Sequence, residues 1–404
     1  MNVEKIREDF PILSRTINGG RLVYLDNAAT TQKPVQVLDA MRDFYIRHGG
    51  NVGRGIHELS IEATEILQKS RDNVARFINA KPEEIVFTYN ATSSLNLVAQ
   101  SWGADNLTSR DEIATTIMEH HSSVIPWMVV AKKTGADIAK AGITDEGLLD
   151  YDDFEDKVSE KTKVVALTHT SNVLGTVNDA ERIAKLAHDN GALMVLDGAQ
   201  SVPHMKVDVK KIGCDFMAFS GHKMLAPFGI GVLYGKKEIL DETSPLLVGG
   251  GTVTSVSKDE ITFVEPPEKF EGGTPNVGGA MGLATAIDYL EKIGMENVEK
   301  HEEELTAYAL EKMSQIEGIE IYGPMDAKNK GGIVSFNMKD MQAHDVGTIL
   351  NEQGIAVRSG HHCCLPLMKY LNINGSARAS FYIYTTKEEI DCLVGVLKKF
   401  SELA

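Results

Sequence analysis

Through the middle of the chain, short and almost unbroken apolar runs alternate with amphipathic stretches. Glu84-Ile85-Val86-Phe87 reads as a strand, and Lys163-Val164-Val165-Ala166-Leu167-Thr168 as another, followed by a helix from about Asp179 to Asn190. Ala192-Leu193-Met194-Val195-Leu196 predicts a third strand, ending at Asp197, and Phe216-Met217-Ala218-Phe219 a fourth, ending at Ser220. Strands that alternate with helices predict an α/β fold whose mostly parallel sheet is covered on both faces. In such sheets, sites gather beyond the carboxyl ends of the strands.

After about residue 290 the texture changes. Residues 295–317 predict one long amphipathic helix with Val298, Leu305, Tyr308, Leu310, Met313 and Ile316 on its apolar face. Ile333-Val334-Ser335-Phe336 predicts a strand, and Lys387 to Phe400 a closing helix. The expected division is an N-terminal segment, 1–20, packing near a small C-terminal α+β domain, 291–404, with a large domain over 21–290. No internal repeat, low-complexity tract or Pro/Gly/Ser-rich linker interrupts it.

Composition narrows the partners. At 404 residues and 43% hydrophobic, the chain has material for a sizeable core. A net charge of −16 argues against nucleic acid or an anionic membrane as the main partner. No apolar run approaches the roughly 18–20 residues of a bilayer span. The segment from Met1 to Asp9 has no apolar stretch of a secretion signal. The four cysteines (Cys214, Cys363, Cys364, Cys392) include two neighbours, which suits a reducing compartment better than a disulfide framework. A cytoplasmic protein is expected.

Candidate chemistry sits at the strand ends. Asp197 is either a turn or cap residue or a counter-ion for a cofactor cation. Lys223, in Ser220-Gly221-His222-Lys223, lies 26 residues on, so one strand–helix–strand unit can bring it beside Asp197. Lysines after strands are commonly surface residues, yet pyridoxal 5′-phosphate needs such a pair: a lysine for its Schiff base and an acid near its pyridinium nitrogen. Thr92-Ser93-Ser94 opens a helix through Leu95, Val98 and Trp102, and offers either plain N-caps or N–H groups and hydroxyls for a phosphate. Ser220 and His222 could add donors. His120, in Glu119-His120-His121-Ser122-Ser123, could stack on a flat heteroaromatic ring or be structural.

The segment Arg358-Ser359-Gly360-His361-His362-Cys363-Cys364 has two readings. His361 to Cys364 are all metal-ligand types, but four consecutive residues close a tetrahedral cage poorly, and no second Cys/His pair lies at suitable spacing. Alternatively, Cys363 is a nucleophilic thiol on a Gly-punctuated loop, helped by adjacent imidazoles. Arg358 and Arg378 would then be forks for a substrate carboxylate.

Taken together and in order, these segments resemble the SUF-type cysteine desulfurases, within the aminotransferase class V group of fold-type-I pyridoxal-phosphate enzymes. The resemblance runs essentially end to end. It includes Tyr24-Leu25-Asp26-Asn27-Ala28-Ala29, Asn96-Leu97-Val98-Ala99, Met118-Glu119-His120-His121, Ser171-Asn172-Val173-Leu174-Gly175, Asp197-Gly198-Ala199-Gln200, Ser220-Gly221-His222-Lys223, Gly273-Thr274-Pro275-Asn276 and Arg358 to Cys363. It implies a large domain that binds pyridoxal 5′-phosphate through Lys223. Asp197 would pair with the pyridinium nitrogen, Gln200 with the ring hydroxyl, and His120 would stack on the ring and serve as acid or base. Thr92, Ser93, Ser220 and His222 would hold the phosphate, joined by Thr274 from the other subunit of a homodimer. Arg378 would bind the substrate carboxylate, with Asn172 near the cofactor and Arg358 near the thiol.

The implied reaction converts L-cysteine to L-alanine, leaves a persulfide on Cys363, and hands the sulfur to an acceptor protein of iron–sulfur cluster assembly, with no resident metal. Selenocysteine lysis, cysteine sulfinate desulfination and class V transamination are the alternatives, along with a non-catalytic sulfur- or metal-binding role. The short Gly-His-His-Cys form implies a constrained thiol that reacts better with a partner present. Three departures stand out. Cys364 replaces a small residue and could accept sulfur, be oxidised with Cys363, or do nothing. Asn90-Ala91-Thr92-Ser93-Ser94 replaces Arg-Gly-Thr-Thr-Glu, and Gly53 replaces a histidine before Arg54.

Overall fold

A computed structural model describes residues 1–401. Its centre is a seven-stranded sheet. In chain order the strands are β1 (Ile85–Thr88), β2 (Glu112–Thr116), β3 (Asp137–Ala141), β4 (Thr162–Thr168), β5 (Leu193–Asp197), β6 (Phe216–Ser220) and β7 (Gly231–Gly235). Their spatial order is β1-β7-β6-β5-β4-β2-β3. Only β7 runs against its neighbours, pairing antiparallel with β1 and β6. The remaining pairings are parallel.

The unbroken apolar runs follow from this placement. Successive strand residues point to opposite faces. Val164 and Ala166 of β4 pack with Leu95, Trp127 and Phe216 on one side. Val165 and Leu167 pack with Met194, Met217 and Ile183 on the other. Both faces are dry, so neither parity can be polar. The covering helices include α1 (Val35–Arg47), α2 (Glu58–Phe77), α3 (Ala91–Val98), α4 (His121–Thr134), α5 (Ala180–Asp189) and α6 (Val277–Ile293). Asp179 caps α5 by accepting from the Arg182 N–H, so the expected limits Asp179 and Asn190 are its two caps.

The helix expected from Thr92 to Trp102 is two structures. Asn90, not Thr92 or Ser93, is the cap of α3, and Ser93 returns a bond to the Asn90 N–H. The α geometry ends at Val98 and widens into a π turn over Ala99–Gly103. A β-carbon at Gly103 would stand 2.7 Å from the Trp127 ring, so α4 presses directly on the turn.

Late in the chain, α7 (Met295–Met313) packs against a four-stranded sheet of β8 (Ile319–Tyr322), β9 (Ile333–Met338), β10 (Arg358–Gly360) and β11 (Ser376–Ser380), in the order β8-β9-β11-β10. The helix expected to reach residue 317 stops at Met313, and Gly318, at φ +76°, turns the chain into β8. Ile316 is buried regardless. Leu305, Val334, Phe336, Phe381 and Leu393 of α8 (Lys387–Ser401) form this core, together with Val23 and Leu25 from the beginning of the chain. Val23–Tyr24 pairs in parallel with Ile355–Ala356. Arg7 bonds Glu389 at 2.8 Å, and Asn18 donates to the Asn351 carbonyl at 2.7 Å. No helix among the described residues is long and apolar enough to cross a membrane.

Candidate active site

Adjacent parallel strands deliver the site residues to one edge. β2 ends just before Glu119 and His120, β4 before Thr170 and Asn172, β5 at Asp197, and β6 before the turn of Gly221–Lys223. Beyond these ends lies a cleft of about 480 Å3. Its lining brings together Lys223, Asp197, Gln200 and His120 with Cys363, Arg358 and Arg378. Thr92, Asn172, Ser220 and His222 also face it. Ser93 and Thr274 do not. The Ser93 hydroxyl is taken by the cap of α3, donating to the Asn90 carbonyl at 2.8 Å, and Thr274 is exposed on a loop outside the cleft.

Burial sets the charge of the floor. Desolvation pulls the Lys223 ammonium down to about 8, with Asp197 opposing the drop, so a nucleophilic free amine is available near neutrality. Burial raises the Asp197 carboxyl above its ordinary value, against the Ala199 N–H and Lys223. Its Oδ1 accepts from Ala199 N–H at 2.9 Å. Burial pushes the His120 imidazole down to about 3, helped by Lys223, His121 and Arg378, so it is neutral. Its Nδ1 accepts the Ser122 N–H at 3.1 Å, which leaves the proton on Nε2.

One wall is an anion cradle. Asn90 caps α3, the Ala91 N–H donates to Ser220 Oγ at 2.9 Å, and Thr92 Oγ1 lies 2.7 Å from Ser122 Oγ. The first N–H groups of a helix favour negative charge. His222 stands beside it, stacked on Phe228 at 5.6 Å and held neutral by burial and by Lys223. Buried atoms of the lining without partners include Gln200 Oε1, whose amide nitrogen donates to the Ala28 carbonyl, His222 Nδ1 and Arg378 Nε. Such orphans in a cleft mark where ligand atoms bind.

The opposite wall carries the thiol. His362 and Cys363 both adopt left-handed backbone, at φ +49° and +56°, a strained arrangement for residues with side chains. Four contacts hold it. The His121 N–H donates to the Cys363 carbonyl at 2.7 Å, and the Cys363 N–H donates to His361 Nδ1 at 3.0 Å. The Leu365 N–H donates to His121 Nε2 at 3.2 Å, and Asn172 Nδ2 donates to the His362 carbonyl at 2.8 Å. Cys363 itself is exposed.

The four side chains of His361 to Cys364 diverge, so the metal half-site reading has no geometry behind it. His361 stacks on His121, and His362 turns inward to Ser376. Cys364 points into the core, 3.3 Å from the Glu119 carbonyl and 3.4 Å from that of Met118. Burial pushes its thiol up to about 12. Of the three roles open to Cys364, this placement leaves packing.

Sequence reasoning missed three residues. Asp26 accepts the Arg358 fork at 2.8–3.2 Å and lies 3.6 Å from Arg378. Glu119 is buried beneath His120 among Thr116, Ser123 and the Thr168 N–H, and burial raises its carboxyl to about 7. His344 lines the cleft from the helix before β10 and bonds Ser359. Asp26 and Glu119 stood inside recognised motifs, and that position was their only signal; nothing in the pattern marks His344.

Residues 23–393 match the family model described as aminotransferase class-V. A probable cysteine desulfurase of Halalkalibacterium halodurans is 51% identical over 403 residues, covering 100% of this chain and 98% of that protein. The apo structure of a cysteine desulfurase from Thermococcus onnurineus superposes with TM-score 0.95 at 45% identity, covering 99% of this chain and 98% of its own. The cysteine desulfurase CsdA from Escherichia coli, in an S-sulfonic acid form, gives TM-score 0.92 at 37% identity, covering 100% and 99%.

Proposed function

The chain belongs to the aminotransferase class-V family, and from that premise we propose that it is a pyridoxal 5′-phosphate-dependent cysteine desulfurase that converts L-cysteine to L-alanine and takes the sulfur onto Cys363. One observation carries the reading: Lys223, Asp197 and His120 share a cleft with the strained loop of Cys363.

The cleft fits the cofactor. The depressed Lys223 amine would be the covalent attachment point, and Asp197 would pair with the pyridinium nitrogen. The unpartnered Gln200 Oε1 would accept from the ring hydroxyl. Thr92, Ser220 and His222 would hold the phosphate at the start of α3. Neutral His120 would support the ring. When bound, the cofactor supplies an electron sink that acidifies the substrate α-carbon.

The remaining steps belong to the protein. Arg378 lines the cleft with its Nε unpaired, which gives the substrate carboxylate a donor, and Arg358 adds charge beside it. Lys223 Nζ moves the α-proton. Cys363, having lost its thiol proton, forms a sulfur–sulfur bond to the substrate sulfur as the substrate Cβ–S bond breaks; the bonding pair stays with Cβ, which takes up a proton, so the carbon skeleton leaves as alanine and the sulfur stays on Cys363 as a persulfide.

The product persulfide passes to an acceptor protein of SUF-type iron–sulfur cluster assembly in the cytoplasm; the exposure of Cys363 supports such a transfer. The working form is a homodimer. Exposed Tyr45, Tyr89 and Phe228 support it, because large rings left at the surface suit burial against a second copy, and Phe228 stacks on His222 of the cleft. Thr274 then completes the other copy's phosphate site.

The test is mass spectrometry after L-cysteine is added without reductant. One added sulfur on the Cys363 peptide, with alanine formed, supports the reading. A keto acid in place of alanine would mean transamination, and unimpaired turnover by Cys363→Ala would remove the thiol from the mechanism.

A further inference from the structure

The loop after β4 is held from outside. Four successive carbonyls, from Asn172 to Gly175, each accept a bond from the later part of the chain. Arg378 Nη1 donates to the Asn172 carbonyl at 2.8 Å, and Ser335 Oγ to that of Val173 at 2.6 Å. Lys330 Nζ donates to the Leu174 carbonyl at 2.6 Å, and the Gly331 N–H to that of Gly175 at 2.9 Å. Lys330 is 3% exposed and Ser335 0%. The other bond of the Lys330 ammonium goes to the Tyr322 carbonyl at 3.0 Å, and no carboxylate pairs with it among the described residues. Burying an ammonium on carbonyls alone is costly. Burial pulls this one down to about 7. No room is left for slack, since a β-carbon at Gly323 would meet the Leu174 carbonyl oxygen at 2.3 Å.

What the clamp fixes is Asn172. Its side chain donates to the His362 carbonyl, one residue before the thiol, while its own carbonyl holds Arg378. We propose that Lys330 and Ser335 are positioning residues for Cys363: gripping the carbonyls of Leu174 and Val173, they hold Asn172, and through it the backbone that aims the thiol. The inference rests on the desulfurase reading and adds to it two residues that touch neither substrate nor cofactor.

The test uses the cofactor-loaded enzyme with Ser335→Ala, Lys330→Met and Asn172→Ala, each alone, and with Ser335→Ala combined with Asn172→Ala. The readouts are the alkylation rate of Cys363 by iodoacetamide, persulfide formation from L-cysteine, cofactor absorbance and Tm. Losing one buried hydrogen bond should change the alkylation rate and persulfide formation by about fivefold while cofactor absorbance stays. In the Asn172→Ala background, Ser335→Ala should add less than about twofold, because both act on one path. Wild-type alkylation and persulfide rates in loaded Ser335→Ala overturn the proposal, and so does an undiminished effect in the Asn172→Ala background. Activity lost only in proportion to cofactor also overturns it, by making the residue merely structural. If Lys330→Met does not fold, Ser335→Ala, which leaves the charge in place, decides. A wild-type control that forms no persulfide refutes the desulfurase reading instead.

Discussion

Arg358 and Arg378 stand directly opposite each other on antiparallel β10 and β11, and both lie on the carboxylate of Asp26. Two like charges facing across a sheet repel. Asp26 offsets that repulsion, so a cationic pair can stand at the cleft without a bound anion. Asp26→Asn should therefore lower stability by about 2–3 kcal/mol, chiefly through buried Arg378. Half-exposed Arg358 adds little. Thermal unfolding of the apoprotein measures it, and an unchanged Tm would show that Asp26 carries no such burden.

Arg378→Ala should raise the KM for L-cysteine by about 10- to 100-fold, the worth of a charged hydrogen bond to a carboxylate. Arg378→Lys should recover only part of this, because a point charge lacks the fork. Steady-state kinetics on cofactor-loaded protein checks both. Equal KM values in all three proteins would move the carboxylate site elsewhere.

The Lys223 amine should govern how fast apoprotein captures pyridoxal 5′-phosphate. With the group at about 8, the free-amine fraction, and so the capture rate, should rise about fivefold between pH 7 and pH 8 and level off above about 9. The same shift has a sign for stability: the ammonium is disfavoured in the folded chain. Apoprotein should therefore gain stability as pH climbs from about 8 towards 10.5, where only the unfolded chain still holds the proton. Asp197→Asn removes the charge that props Lys223 up, and should move the capture profile to lower pH. Stopped-flow absorbance follows capture, and a pH-independent rate would contradict the depressed lysine.

Cys364→Ala should keep kcat within about twofold and leave all added sulfur on Cys363, because a thiol pushed up to about 12 supplies no thiolate near neutrality. Peptide mass spectrometry decides it. Sulfur found on Cys364 would mean that the loop turns over in solution.

Gly360→Ala should cost about 1–2 kcal/mol and slow persulfide formation. The penalty is conformational, since φ is +120° and an added β-carbon meets nothing nearer than His344 at 3.7 Å. Unfolding and single-turnover rates measure the two effects. A variant as stable as the parent would show that this backbone is not constrained.

The strands at Ile85, Thr162, Leu193 and Phe216 were legible because a sheet dry on both faces gives each strand a nearly unbroken apolar run. Asp197 and Lys223 were legible for a related reason: parallel strands side by side put their ends side by side. Ser93 misled because a cap's register shifts easily; Asn90 claims the helix two residues before the threonine. Lys330 and Ser335 were silent, and Asp26 marked only by its motif, because their work is done across long stretches of chain, and a serine in a strand looks the same whether or not its hydroxyl holds a distant carbonyl. The thiol loop was legible only by resemblance, since the divergence of His361, His362, Cys363 and Cys364 depends on two left-handed residues that no periodicity announces.

The sharing of Asp26 by Arg358 and Arg378 has a consequence for synthesis. Residue 26 leaves the ribosome near the start of translation and residue 378 near its end, and neighbouring Asn27 likewise waits for the Ser380 carbonyl. The seven strands of the large sheet and Lys223 all precede residue 236, whereas the arginine pair and the thiol lie beyond residue 357. The charge cluster at Asp26 is therefore assembled only when nearly all of the chain has been made.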